Sequence, residues 1–464
     1  MKVKRTDFLI FFALLFISFS PIAIDTDTLK NYSYFWFLAQ IVLVTMVKYR
    51  QGNLIHFFTP ASIAFLYVCI AFLIASYTYP KGYVYEIGDL EGFWLWENYN
   101  RTLSYVLMCG NVLFFVDYIQ RKKLDDLYSI PRIKLDNDAI RTYMFIAIVF
   151  FFTFSFIPLD IEFLGGSGDV AMIPKTIATL TLIYILSIKE VRFRYAIYFL
   201  ILILFSSFSY GSKREAIFLI SSMALIEVIS KKIEPKLKHV LILIAIAIIS
   251  VFLILVMSLM RGYGGYIAEG DSVSFFQTLG YLGDYISNDL FVVYFFNNLE
   301  VNATYFHSIN GMEYVINDKS LIDFGGTIFK VLFILIPSSI LDVKPDSIIH
   351  LYTITKDPVY RSIGGSWPIN IYAEYFWNFY YFGFIFLGLF YYIFNALFIM
   401  AFKLIRDGRA LFVIWILYAY MESITLARGS GLDMYAVYMC FASFFSLVFY
   451  TLYKLLSLRK ISTS

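Results

Sequence analysis

Four arginines stand where a chain this apolar has little reason to place a permanent charge. They are Arg214 in "SSFSYGSKREAIF", Arg261 in "MRGYGGY", Arg361 in "DPVYRSIGGSWPINIYAEYFWNFYYFGF" and Arg428 in "ESITLARGSGLD", and Lys213 adjoins the first. A guanidinium stays ionised and presents a planar fork of donors, so it grips phosphate or diphosphate oxygens two at a time. The Arg361 stretch adds two further chemistries. Glu374 is a candidate general base, a role a carboxylate takes when its surroundings tune its proton affinity. Trp367 and Tyr372 offer ring faces on which a sugar can stack.

Each of these residues has a plainer reading beside the chemical one. Lys213 and Arg214 fit snorkelling to headgroups, or a pair with Glu215. Arg428 fits a pair with Glu422 or Asp433, Arg261 a charge at a helix end, and Arg361 an ordinary surface position. Glu374 fits a salt bridge to an outer arginine. An aromatic belt at headgroup level accounts for most of Trp367, Tyr372, Tyr375, Trp377, Tyr380 and Tyr381. Soluble-enzyme motifs are missing: no Walker A, no H-E-x-x-H and no G-x-S-x-G occurs, and His56, His239, His307 and His350 are scattered.

The elements that must position these residues are apolar. The chain of 464 residues is 60% hydrophobic and 15% charged, against about 25% charged in a soluble domain. Apolar runs recur at 8–24, 32–47, 60–79, 102–119, 142–159, 170–188, 193–210, 215–230, 240–260, 376–402, 410–426 and 434–453. Each is long enough to cross about 30 Å of hydrocarbon as a helix. The expected fold is therefore all-α, a polytopic integral membrane protein of about twelve spans forming one integral domain. "MKVKRTDFLIFFALLFISFSPIAI" reads as an uncleaved first helix, since no A-x-A-like site follows its apolar run. Cys69, Cys109 and Cys440 lie inside apolar runs and indicate neither disulfides nor a metal site.

Charge then orients the spans. With the N-terminus inside, the short inner segments hold 24 of the 37 Lys and Arg, whereas the longer outer segments hold 12 and Lys175 lies within a span. This is the positive-inside pattern, and it places both termini in the cytoplasm. The arginines singled out above fall on the outer side, against that pattern, which points to an anion held near the outer leaflet. Within the spans, Glu227 is expected to pair with Lys231 and Asp117 with Arg121, four residues on in each case. Lys175 either snorkels or joins the outer cluster.

Residues 261–375 form one large outer loop. It contains "DLFVVYFFNNLEV" and "TIFKVLFILIPSSI", apolar stretches too short to span. They read either as helices at the outer membrane–water interface or as a small helical cap on the span ends.

Many apolar spans, "YGSKRE" after an inner span, a large outer loop ending in "GGSWPINIYAEYFWNFYYFG", and "ARG" before the last span together resemble the bacterial O-antigen or oligosaccharide repeat-unit polymerases of the Wzy type. The loop-end pattern, a Gly-Pro-rich turn followed by Glu, an aromatic and "NF..FG", is the most specific part. "GSKRE" differs from the family's Gly-Ser-Arg-like element by Lys213, inserted before the arginine. The resemblance implies a C-type glycosyltransferase-like fold. It also implies an enzyme that joins undecaprenyl-diphosphate-linked oligosaccharide repeat units at the periplasmic face of the inner membrane, for lipopolysaccharide or another surface polysaccharide. On this likeness Lys213, Arg214, Arg261, Arg361 and Arg428 bind diphosphate. Arg214 also stabilises the leaving group, Glu374 deprotonates the acceptor hydroxyl, and Trp367 and Tyr372 contact sugar. Implied partners are the carrier-linked oligosaccharide, membrane lipid and a chain-length regulator protein, with no nucleic acid. No metal or other cofactor is called for, since the arginines can carry the electrostatic work. Two other readings share the topology. A flippase for the same substrate would carry charge along a cavity within the spans, and an O-antigen ligase would rely on an outer-loop histidine.

Overall fold

An apolar segment removed from water can satisfy its backbone only from within, and a helix does so without a neighbour. The computed structural model of the chain is accordingly helical nearly throughout. It describes residues 5–84, 87–129, 137–157, 160–161, 168–189, 191–208, 213–260, 275–299, 301–334, 336, 344–406 and 410–462.

The first eleven helices are α1 (Arg5–Phe19), α2 (Thr26–Tyr32), α3 (Tyr34–Arg50), α4 (Pro60–Thr78), α5 (Ile87–Trp94), α6 (Tyr99–Asp126), α7 (Asn137–Phe156), α8 (Met172–Ile188), α9 (Arg194–Phe208), α10 (Lys213–Ser230) and α11 (Leu237–Met260). The segment expected as a large outer loop carries α12 (Phe275–Leu279), α13 (Leu282–Ile286), α14 (Phe291–Asn298), α15 (Val301–Asn317), α16 (Gly326–Phe333), α17 (Ile348–Lys356), α18 (Pro358–Ser362) and α19 (Ile371–Phe379). Then follow α20 (Gly383–Arg406), α21 (Ala410–Arg428) and α22 (Leu432–Ser462). Extended pairing among the described residues is confined to β1 (Asp160–Ile161) and β2 (Gly168–Asp169), antiparallel, with Asp160 opposite Asp169.

A helix occupies each of the twelve apolar runs. Among the described residues, five helical stretches are long and apolar enough to cross a membrane by length and composition: Pro60–Lys81, Tyr99–Ser129, Asn137–Phe156, Ile371–Leu404 and Leu432–Leu456. Such helices point to a membrane-embedded protein. The run expected at 376–402 is not one straight helix. Tyr380, at φ 54, interrupts it between α19 and α20. At Gly383 a side chain would sit 2.4 Å from the Tyr375 carbonyl oxygen and 2.5 Å from the Tyr105 hydroxyl, so only glycine fits the restart.

The chain groups into two compact units. The first comprises residues 1–122, 287–396 and 423–436. Within it α3 packs on α4 and α1, and α15 packs on α4, α5 and α19. Its core is strongly aromatic, with Phe37, Phe65, Phe72, Tyr305, Tyr352 and Phe376 fully buried. The second comprises residues 123–286, 397–422 and 437–464. There α8 packs on α7 and α10, and Tyr143 stacks on Tyr453 with ring centroids 4.2 Å apart.

Asp117 departs from its expected pairing. Instead of Arg121 it takes Lys48, with Nζ 2.7 Å from Oδ2, and Arg121 turns to Asp7 at 3.8 Å. Thr59 and Asn395 each donate to Asp117 Oδ1 at 2.6 Å, and Ser62 closes the network through short bonds to Lys48 and Asp117. Helix spacing suggested the local partner, but the packing of α3 beside α6 supplied a buried cation that no local spacing shows. Glu227 likewise receives a two-pronged bond from Arg194, 2.9 Å from Nε and 3.0 Å from Nη2. Lys175 is buried.

Candidate functional site

The residues preceding α19 are held by a series of local caps. Ser347 Oγ accepts from the His350 amide at 3.2 Å and starts α17. Asp357 accepts from the Tyr360 amide at 2.8 Å and, with Pro358 at the first helical position, starts α18. Asn370 accepts from the Ala373 amide at 3.0 Å and starts α19. Such caps satisfy helix N–H groups that have no partner inside the helix. The Gly364–Gly365 pair is needed between them: Gly364 has φ +87, and a side chain on Gly365 would strike the Tyr360 ring at 2.4 Å.

This frame fixes Arg361. Its Nε donates to His350 Nδ1 at 2.9 Å, and its Nη1 donates to the Gly365 carbonyl at 3.1 Å. An Nδ1 that accepts leaves the His350 proton on Nε2, the tautomer this geometry requires, and Nε2 lies 3.9 Å from Asp346. Neither partner of the guanidinium carries negative charge. Arg428 ends α21 half-buried. The turn after it abuts the same frame: a side chain on Gly429 would lie 2.5 Å from the Ile369 carbonyl, and one on Gly431 would lie 3.6 Å from Ile348. The Arg428 turn and the end of the large loop, distant in sequence, therefore meet. The side chains of Lys213 and Arg214, at the start of α10, and all of Arg261 lie outside the described residues.

Trp367 already has ring neighbours. His307 lies 4.5 Å and Tyr360 4.7 Å from it by ring centroids, and Lys356 Nζ is 4.4 Å from its centre. These contacts use the ring surface that a sugar would need. Lys356 also pairs with Asp89 at 2.9 Å and lies 3.4 Å from His307 Nδ1, which Tyr352 Oη meets at 2.9 Å. Burial, with the Lys356 charge adding, holds the His307 imidazole well below the usual histidine range. His307 Nε2 and Trp367 Nε1 are buried without a hydrogen-bond partner among the described residues. Tyr372 is 0% exposed, so it sits in the core and presents no face to a sugar.

Glu374 is only 2% exposed. It accepts from Thr327 Oγ1 at 3.2 Å and from the Leu432 amide. Asn378 donates to Thr327 Oγ1 at 2.7 Å and to the Glu374 carbonyl at 2.8 Å. Beside it Lys330 pairs with Asp433 at 3.0 Å. The carboxylate thus ties α16, α19 and the start of α22 together. Its partners are a hydroxyl and an amide, not the outer arginine that the plainer reading supplied.

Sequence reasoning missed α15. Asn302, Thr304, His307, Ser308 and Glu313 are buried on it, so its hydropathy marks neither a span nor an ordinary surface helix. Glu313 accepts from the amide and side chain of Asn98, both at 3.3 Å. Burial nevertheless pushes its carboxyl up to about 7. The one sequence signal was Glu313 recurring six residues after His307, too weak to separate from a polar helix face. No family model, curated protein or solved structure matches this chain.

Proposed function

We propose that the chain is a Wzy-type oligosaccharide repeat-unit polymerase. On this reading it crosses the bacterial inner membrane about twelve times with both termini cytoplasmic, and residues 261–375 lie on the periplasmic face. It joins repeat units carried on undecaprenyl diphosphate. The acceptor hydroxyl attacks the anomeric carbon of the donor, the bond from that carbon to the diphosphate breaks, and the hydroxyl proton passes to the departing diphosphate, on which negative charge has grown.

The observation that carries this reading is the setting of Arg361. Its guanidinium is oriented by an imidazole nitrogen and a carbonyl oxygen, and among the described residues no carboxylate pairs with it. A fixed cation stabilises a leaving group most where charge develops during the reaction, because it need not reorganise. The approach of the Arg428 turn to Ile369 supports a second cation in the same region. Lys213, Arg214 and Arg261 are assigned to the diphosphates by their sequence setting. The buried bonds of Glu374 favour a tie between helices over the role of base, and Trp367 and Tyr372 are better suited to support the frame than to stack on sugar.

Arg361→Ala, expressed at the normal level in a strain lacking the gene, is expected to leave glycan of a single repeat on a lipopolysaccharide gel. A full-length ladder would remove the diphosphate-binding assignment. The contact between His350 and Arg361 favours one second reading, a ligase that uses an outer-loop histidine. That reading predicts uncapped lipid A core while long chains still accumulate on the carrier lipid.

A further inference from the structure

Helix α16 is built the wrong way round for water. Its inward side carries the polar groups: buried Thr327 reaches Glu374, and half-buried Lys330 reaches Asp433 at 3.0 Å, beside Ile328, which packs on the core. Its outward side is apolar, with Phe329 57% and Leu332 70% exposed, three residues apart and so on one face. A helix at an aqueous surface does the reverse, burying its apolar stripe and hydrating its polar one. The turn leading into α16 repeats the pattern. Phe324 is 79% exposed and sits at φ 48, a left-handed conformation that a bulky side chain rarely takes. Strain of this sort persists only where the surroundings enforce it. Here Asp323 holds the turn, its amide donating to the Trp377 carbonyl at 3.2 Å and its carboxylate accepting from the Thr327 amide at 2.7 Å.

The apolar face is continuous with another exposed apolar strip. A side chain on Gly325 would touch Phe329 at 3.0 Å and Phe379 at 3.4 Å, so those rings adjoin. Phe379 stacks on Phe386 of α20 with centroids 4.1 Å apart. From there exposed Phe382, just before α20, leads to Ile385, Leu389 and Ile393, which run along the outside of α20 at helical spacing, within the stretch Ile371–Leu404, which is long and apolar enough to span. The outer strip of a spanning helix faces acyl chains, and the face of α16 extends that strip without a polar break.

We infer that Phe324, Phe329 and Leu332 are a membrane contact, seated among the acyl chains of the leaflet next to α20, while the polar side of α16 grips Glu374 and Asp433. The large loop is thereby anchored in lipid at one edge. This follows from the inverted polarity of α16 and holds whether or not the chain is a polymerase.

The test is spin-label accessibility of the full chain in liposomes. Cys440 is exposed and is replaced by serine, while Cys69 and Cys109 are buried and stay in place. Single cysteines are introduced as Phe324→Cys, Phe329→Cys and Leu332→Cys, with Leu389→Cys as the lipid reference and Ser320→Cys as the aqueous one. All three labels are expected to collide with oxygen in preference to a water-soluble nickel chelate, as Leu389 does. Chelate access equal to that of Ser320 would overturn the inference. Exclusion of both reagents would overturn it too, since protein and not lipid would then cover the face.

Discussion

Replacing Glu313 by glutamine isolates one buried charge in the large loop. The carboxyl is 4% exposed, and its Oε1 has no hydrogen-bond partner among the described residues. Burial is the main cause of its raised proton affinity, opposed by the bonds from Asn98 and by Lys30, with Glu97 adding to the rise. Held at about 7 instead of its ordinary 4.5, the group costs the folded protein about 3 kcal/mol once ionised, at about 1.4 kcal/mol per unit of pH. The sign follows from linkage. A carboxyl whose affinity is raised on folding contributes its full stability below pH 4.5 and loses it as pH climbs through about 7. Glutamine keeps the shape and an oxygen for Asn98 but cannot ionise. Glu313→Gln should therefore match the native protein near pH 4.5 and exceed it by up to about 3 kcal/mol at pH 8. The assay is thermal unfolding in detergent, followed by tryptophan fluorescence at one scan rate across pH 4.5 to 8.5, with the variant and the native protein compared at each pH. A gap between variant and native protein that is the same at every pH would refute the reasoning, as would a variant less stable at pH 8.

Three further perturbations follow from the packing. Asp117→Asn strands the buried Lys48 cation and should cost about 3–5 kcal/mol, while the Lys48→Met, Asp117→Leu double variant should recover most of the loss; thermal stability in detergent measures both. Gly383→Ala forces a methyl group to within 2.4 Å of a carbonyl oxygen and should lower stability by about 1–3 kcal/mol in the same scan. His350→Asn keeps an acceptor near the Nδ1 position and should retain glycan ladder formation. His350→Leu removes the acceptor and should fail as Arg361→Ala does.

Some of this was legible in the sequence because it depends on local chemistry. Apolar runs dictate helices wherever backbone groups have no water, and a helix occupies each of the twelve runs among the described residues. The glycine pair before Trp367 announced a tight turn, and the turn places Arg361. What was not legible depends on which helices become neighbours. Asp117 has a plausible cation four residues away, yet it pairs with Lys48 on another helix, because a buried carboxylate is better served by a cation that is also buried. Glu374 looked like a partner for an outer arginine but meets Thr327, because α16 folds back over α19. Helix α15 escaped notice since polar and apolar residues are buried together on it, and polarity in sequence normally signals exposure. His307 and His350 lacked a context because Lys356, at the end of α17, and Arg361, on α18, supply it through packing. The direction in which α16 faces also depends on tertiary packing: "TIFKVLF" gives its composition but not that Thr327 and Lys330 point inward.

Reconstitution tests the central claim most directly: purified protein in liposomes, supplied with one synthetic lipid-linked repeat unit and no other protein. The account predicts extension to dimers and longer products, lost in Arg361→Ala. Absence of any extension by the native protein, with the substrate instead equilibrating between the two leaflets, would contradict it.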